Sequence, residues 1–276
     1  MLEERTAATE IRWGLWPDPT TPAEARCLVL EPRPGGPGAH VLAVAEGLGG
    51  GGAGAAAAGA TIDALARAAT RLELERPRLW LRDAFAAATR AVRDHGAVGD
   101  APLASTLTVL VLCGNQVLIG HVGDCRAHLL RDGAVEQCTT DHTRAAELVR
   151  LRQLTPEQAI THPARRLLTR CLGTRPPAAP DIVRRPMRPG DTWILCSAGM
   201  SGALDREGIR DAVRRRAPLD AAVGLVDLAG GGGAAVAGVS RAASAPSPEH
   251  RLWYARRHAV GPTHFTPHPP PSSKDR

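Results

Sequence analysis

Aromatic side chains are scarce: five Trp, two Phe and one Tyr make up 3% of 276 residues. Apolar residues still reach 43%, so a sizeable core is available, but it must be built from Ala, Val, Leu and Ile. Lysine is almost missing. Of 34 cationic residues only Lys274 is lysine and the rest are arginine, a bias that reads as GC-rich coding rather than function. Six cysteines (Cys27, Cys113, Cys125, Cys138, Cys171, Cys196) include no C-x-x-C, which excludes a zinc-finger pattern and a disulfide framework. No run approaches the roughly 18–20 apolar residues of a membrane span, and no charged-then-apolar leader opens the chain, so a cytoplasmic, reduced protein without a membrane span is expected. No Gly-Lys-Ser/Thr exists, which removes the Walker-A reading.

The net charge is +6. Residues 241–276 hold six cations against two acids, whereas residues 1–240 hold 28 against 26. With no Lys/Arg stripe on the body, specific nucleic-acid binding is not expected. The length suits one domain plus a tail, and a monomer is expected.

Residues 1–39 are turn-rich, with a short apolar piece at Cys27–Leu30. His40–Ala45 reads as a buried strand followed by the Gly-rich Gly47–Gly54, then by helices from Ala53 to about Glu75 and from Leu79 to Val92. A meander follows at 105–113, 116–122 and 125–130, closed by the hairpin signal Asp132-Gly133. Residues 143–170 read as two helical pieces. Strands at 182–187 and 192–197, helical stretches at 205–215 and 219–229, and a small-residue strand at 234–240 complete the body. Seven Pro in residues 241–276 and scattered His read as a disordered basic tail. Helices, meander, then helices is not β-α-β alternation, so the fold class is α+β.

Two short patterns invite chemistry. Gly47-Leu-Gly-Gly-Gly-Gly52 matches G-x-G-x-x-G, but the dinucleotide reading needs a second parallel strand ending in an acid about 20 residues on, and that region reads as helix and turn. Cys125-Arg-Ala-His-Leu-Leu-Arg131 matches the C-x5-R phosphate loop but reads as strand, without the turns and helix N-terminus such a loop needs.

The order of longer motifs is more specific. Val41-Leu-Ala-Val-Ala-Glu-Gly-Leu-Gly-Gly50 is similar to V-x-V-A-D-G-M-G-G. Ser105-Thr-Leu107 is similar to G-T-T-L, and Val122-Gly-Asp-Cys-Arg-Ala127 to V-G-D-S-R-A. Leu129-Leu-Arg-Asp-Gly133 and Thr140-Asp-His-Thr143 are similar to L-R-D-G and D-H-S. His162-Pro163, Leu168-Thr-Arg-Cys-Leu-Gly173, Pro189-Gly-Asp191 and Leu195-Cys-Ser-Ala-Gly-Met200 continue the run. From about Glu24 to Arg241 the chain therefore resembles the metal-dependent protein phosphatases, the type 2C Ser/Thr phosphatases, and in particular their compact bacterial members. The resemblance implies a β-sandwich flanked by helices, residues 23–241, between an irregular segment 1–22 and the tail 242–276. It also implies hydrolysis of phosphoserine and phosphothreonine at a binuclear Mn²⁺/Mg²⁺ centre, where carboxylates hold the cations and a bridging water attacks phosphorus. No protein nucleophile is needed, so no catalytic side chain is named.

The carboxylates are where this chain departs. The bridging Asp is Glu46, one methylene longer. Ala198 stands for the Asp of S-D-G, and Ala234 for the Asp after the late Gly run. Ala25 stands for the Asp of N-E-D, whose Glu is Glu24, and the phosphate-binding Arg falls near Thr20. Asp124 survives, and in the family it serves an additional metal. Residual ligands would be Glu46, the Gly47 carbonyl and Asp124, implying absent or weak single-site metal binding. His121 and His128 could join a one-metal site, but read more simply as sheet residues. Two readings follow: a pseudophosphatase that binds a phosphorylated protein or a Ser/Thr kinase, or a divergent active Mn/Mg-dependent phosphatase.

Overall fold

The computed structural model describes residues 9–16, 24–32, 38–49, 52–98 and 101–241. Thr20 and the tail 242–276 lie outside the described residues, and so does the expectation of disorder for that tail. In chain order the elements are β1 (Thr9–Trp16), β2 (Ala25–Leu30), β3 (Ala39–Leu48), α1 (Ala53–Ala69) and α2 (Pro77–Asp94). The short pieces β4 (Ala97–Val98), β5 (Ala101–Pro102) and β6 (Ala104–Ser105) lead into β7 (Leu107–Cys113), β8 (Gln116–Val122), β9 (Arg126–Arg131) and β10 (Ala134–Gln137). Next come α3 (Arg144–Arg150), α4 (Pro156–Thr161) and a 3-10 turn (Pro163–Arg166). After them run β11 (Asp181–Pro186), β12 (Thr192–Cys196), α5 (Ala198–Ser201), α6 (Arg206–Val213), α7 (Pro218–Ala229) and β13 (Ala234–Arg241).

The strands form two antiparallel sheets, β1-β13-β12-β9-β10 and β11-β8-β7-β3-β2, with β6 joined to β3 and β4 paired to β5 apart from both. The period of two explains the layering. Along β3, Leu42 and Val44 point between the sheets, where they meet Leu110, Ile119, Leu129, Trp193 and Leu195. Val41, Ala43 and Ala45 point outward, beneath Leu65 of α1 and Trp80, Leu81 and Phe85 of α2. Buried on both faces, β3 reads as one apolar run rather than an alternation. On the far sheet Ile194, Cys196 and Val236 face Ile209, Ala221 and Leu225 of α6 and α7. The result is a sandwich with a helical layer on each side. The small apolar residues that replace aromatics let α1 lie close: a Cβ on Gly47 would collide with the Gly54 carbonyl.

The structure corrects one expectation. Thr9–Trp16, inside the segment read as irregular, is the strand β1, paired with β13 from Thr9↔Arg241 to Trp16↔Ala234. The Asp132-Gly133 hairpin is present, both residues at positive φ (51° and 81°) as a two-residue turn requires. Two motif residues meet at the ends of the paired strands β9 and β12. The Arg131 guanidinium binds Asp191 in bidentate fashion, at 2.7 Å to each oxygen, and Asp191 is 2% exposed. Among the described residues no helix is long and apolar enough to cross a membrane.

Candidate functional site

Pairing register carries the singled-out positions to one end of the sandwich. Glu46, near the end of β3, lies opposite Ala25 at the start of β2. Gly47 pairs with Ser105, and Val122 at the end of β8 lies opposite Leu107. On the facing sheet Cys196, which ends β12, lies opposite Ala234, which begins β13. The loop after Cys196 is fastened to the one before Ala234: Ser197 N–H donates to the Gly233 carbonyl at 2.8 Å, and Gly233 N–H to Ser197 Oγ at 3.1 Å. Ala25, Glu46, Gly47, Asp124, Ala198 and Ala234 therefore all border the same end.

Glu46 is tied at both ends. Its carbonyl accepts from Thr106 N–H at 2.8 Å, while its Oε2 accepts from the backbone N–H of Gly199, in the first turn of α5, at 3.2 Å. Gly47 N–H donates to the Glu24 carbonyl at 2.8 Å, and a Cβ on Gly54 would stand 2.9 Å from the Gly47 oxygen, so helix α1 crowds that carbonyl. Asp124 sits in the corner between β8 and β9, made by Gly123 at φ 111°. Burial pushes its carboxyl up from 3.8 to about 7, and the charges of Asp141 and Glu46 add to the shift. Beside it the buried Cys125 thiol lies 3.1 Å from Thr106 Oγ1. Burial, with the charges of Glu46 and Asp124, holds it well above the usual thiol range. It is no phosphatase-type thiolate, and Arg131 of the same C-x5-R pattern is committed to Asp191.

Several site-building residues carry no flag in the sequence beyond their motifs. Asp141 accepts from Arg126 Nε at 2.9 Å, from Arg126 Nη2 at 2.7 Å and from Gln137 Nε2 at 3.1 Å, so its charge is already matched. His142 clasps the corner. Its Nδ1 accepts from Gly123 N–H at 3.1 Å, and its own N–H donates to the Gly123 carbonyl at 2.7 Å. With Nδ1 an acceptor, Nε2 carries the proton and donates to Asp181 at 3.1 Å, which in turn binds Arg170 at 2.7 Å. The signal was present in Gly123-Asp124 and Asp141-His142, but the pairing depends on a fold that brings residues 19 apart into contact.

The two other histidines do not join Glu46 and Asp124. His121 is buried, with Nε2 donating to the Thr140 carbonyl at 3.1 Å and Nδ1 2.9 Å from Thr108 Oγ1. His128 lies opposite Ile194, on the face under α6 and α7. Burial lowers both to about 4; His142 adds to this at His121, and Arg126 at His128. Among the described residues no group of three or more His, Cys, Asp or Glu is placed to hold a metal ion. The oxygen donors bordering this end are Glu24, Glu46, Asp124 and the crowded Gly47 carbonyl, with Asp141 already committed to Arg126 and Gln137, whereas a binuclear hard-cation centre draws several oxygen ligands for each cation. The dinucleotide reading also falls, because the strand leading into Gly47 has antiparallel neighbours.

A family model described as Protein phosphatase 2C matches residues 35–227. The serine/threonine protein phosphatase PstP of Mycobacterium tuberculosis is 37% identical over 202 residues, covering 71% of this chain and 38% of PstP. The chain thus spans 38% of the length of that relative. Among solved structures, the S. agalactiae serine/threonine phosphatase superposes with a TM-score of 0.73 at 25% identity, covering 85% of this chain and 100% of that one. The catalytic domain of PstP in complex with two manganese ions superposes with a TM-score of 0.69 at 30% identity, covering 84% and 100%.

Proposed function

This chain belongs to the protein phosphatase 2C family, and we propose that within it the domain acts by binding, with two-metal turnover impaired. Its partner would be a phosphorylated protein or a Ser/Thr kinase, held by a monomer in the reducing cytoplasm. One observation carries this reading. The Glu46 carboxylate, at the position of the bridging ligand, is bound to Gly199 N–H, while Ala25, Ala198 and Ala234 border the same end without a donor atom. The manganese ions of the PstP catalytic domain belong to that protein. Here Glu46, Asp124 and the Gly47 carbonyl would offer at most one weak cation site.

The active reading keeps one argument. Glu46 and Asp124 repel each other strongly enough to help raise Asp124, and a divalent cation between them would relieve that repulsion. Turnover of a phosphothreonine peptide, with and without Mn²⁺, separates the two. The binding reading expects no hydrolysis above buffer from folded protein, together with saturable capture of the peptide or of a phosphorylated kinase domain. Mn²⁺-dependent hydrolysis abolished by Glu46→Ala would establish the active enzyme instead.

A further inference from the structure

The positive charge of the domain is concentrated in one place. Residues 144–170 hold six arginines and two glutamates; the remainder of residues 1–240 holds 22 cations against 24 acids. A lobe of +4 thus stands on a body of −2, built from α3, α4 and the 3-10 turn. Two of its arginines are paired, Arg144 with Glu147 at 3.2 Å and Arg170 with Asp181 at 2.7 Å. Arg150, Arg152, Arg165 and Arg166 are exposed and make no ion pair with any described residue.

The same lobe is apolar where it should be wet. Of six large apolar side chains exposed among the described residues, three belong to it: Leu151 at 49%, Ile160 at 71% and Leu167 at 61%. It has almost no core of its own. Neither α4 nor the 3-10 turn buries a residue, and α3 buries only Ala145. What gives it shape is backbone bonding: Arg144 N–H donates to the Leu167 carbonyl at 2.8 Å, and Gln153 N–H to the Leu148 carbonyl at 2.8 Å. At its root His142 grips Gly123, so the lobe rises beside the Asp124 corner. Single exposed aliphatics are ordinary on a surface; here three stand on one small, almost coreless cationic lobe.

We propose that this lobe docks an acidic amphipathic segment of a partner protein. Its carboxylates pair with Arg150, Arg152, Arg165 and Arg166, and its apolar side chains cover Leu151, Ile160 and Leu167. Guanidinium forks suit carboxylates, and desolvation by the apolar contacts strengthens each pair. Charge decides the occupant, because residues 241–276 of this chain carry six cations against two acids and would be repelled. A membrane surface fits less well: the three aliphatics stand on separate short elements, not along one continuous helix face. The surface goes beyond the proposed function and holds whether or not the cleft turns over.

The test is an anisotropy titration of the full chain with a labelled helical peptide of about 15 residues, Glu-rich with Leu at helical spacing. A Lys-rich peptide of the same apolar pattern and vesicles of phosphatidylcholine and phosphatidylglycerol run beside it. The acidic peptide is expected to bind at near-physiological salt and the basic one not. Arg165→Glu with Arg166→Glu is expected to weaken binding about tenfold or more, and Arg150→Glu with Arg152→Glu similarly. Ile160→Ser should weaken it several-fold with the salt dependence unchanged. Because these positions are exposed, each variant should keep the wild-type unfolding midpoint. Equal binding by all variants, failure of the acidic peptide to bind, or tighter binding to the vesicles would each overturn the proposal.

Discussion

Glu46 spans the mouth of the sandwich to reach Gly199: its Oε2 lies 3.2 Å from that backbone nitrogen, across 153 residues of sequence. An Asp at position 198 would put a second carboxylate beside the same donor, whereas Ala198 leaves the N–H to the longer side chain. Positions 46 and 198 thus belong to one arrangement, a hydrogen bond that crosses the cleft. Glu46→Asp, one methylene shorter, is expected to lose the contact and about 1 kcal/mol of stability, while Glu46→Gln keeps an acceptor and most of it. Urea unfolding of the two variants checks this, and equal losses would show that the contact contributes nothing.

Asp124 makes stability depend on pH in the direction opposite to most carboxylates. Its folded value of about 7 stands above the ordinary 3.8, so between these pH values the folded protein holds a proton that the unfolded chain has lost. Stability is therefore expected to fall as pH rises through that window and to level off above it. Asp124→Asn should remove this component and, in chelator-treated protein at pH about 8, be more stable than wild type by about 1–3 kcal/mol, allowing for partial exposure. Unfolding titrations at pH about 5.5 and 8 measure the difference.

The Arg131–Asp191 pair is structural. Asp191 also accepts from Arg188 N–H at 2.7 Å, so removing it leaves that backbone donor without its acceptor and the guanidinium with its Pro186 carbonyl contact. Asp191→Ala is expected to cost about 3–5 kcal/mol, and a loss below about 1 kcal/mol would contradict the assignment.

His128 should behave as an apolar residue. It is buried, and neither ring nitrogen has a hydrogen-bond partner among the described residues. With its value lowered to about 4 against 6.5 unfolded, only the unfolded chain is protonated between them, so this site loses stability as pH falls. His128→Leu is expected to be neutral or stabilising near pH 7 and to move the acid-unfolding midpoint downward. A loss above about 2 kcal/mol would instead reveal a polar partner for the ring.

Much of this was legible in the residues. The continuous apolar run of β3, the Asp132-Gly133 hairpin and the α2 pattern each follow from a local period or a turn residue, and the ordered motifs fixed their assembly. Strand β1 was not legible, because Thr9–Trp16 has mixed polarity and is held by register against the Ala-rich β13. At the site, the motif order placed Ala25, Ala198 and Ala234 at the end that Glu46 borders, and strand register puts Ala25 opposite Glu46 and Ala234 opposite Cys196. The Glu46–Gly199 bond, the His142 clasp on Gly123 and the Asp141–Arg126 pair could not be read from the sequence, since each joins residues that only the folded sandwich brings together. The cationic composition of 144–170 was visible throughout; what exposed its meaning was the lack of any buried residue in α4.

The account stands or falls on the metal capacity of the Glu46 end. Calorimetric titration of the chelator-treated chain with Mn²⁺ measures it directly, beside a variant carrying Ala25→Asp, Glu46→Asp, Ala198→Asp and Ala234→Asp. At most one weak site is expected in the natural chain, with additional binding appearing only in the variant. Two tight sites in the natural chain would contradict it.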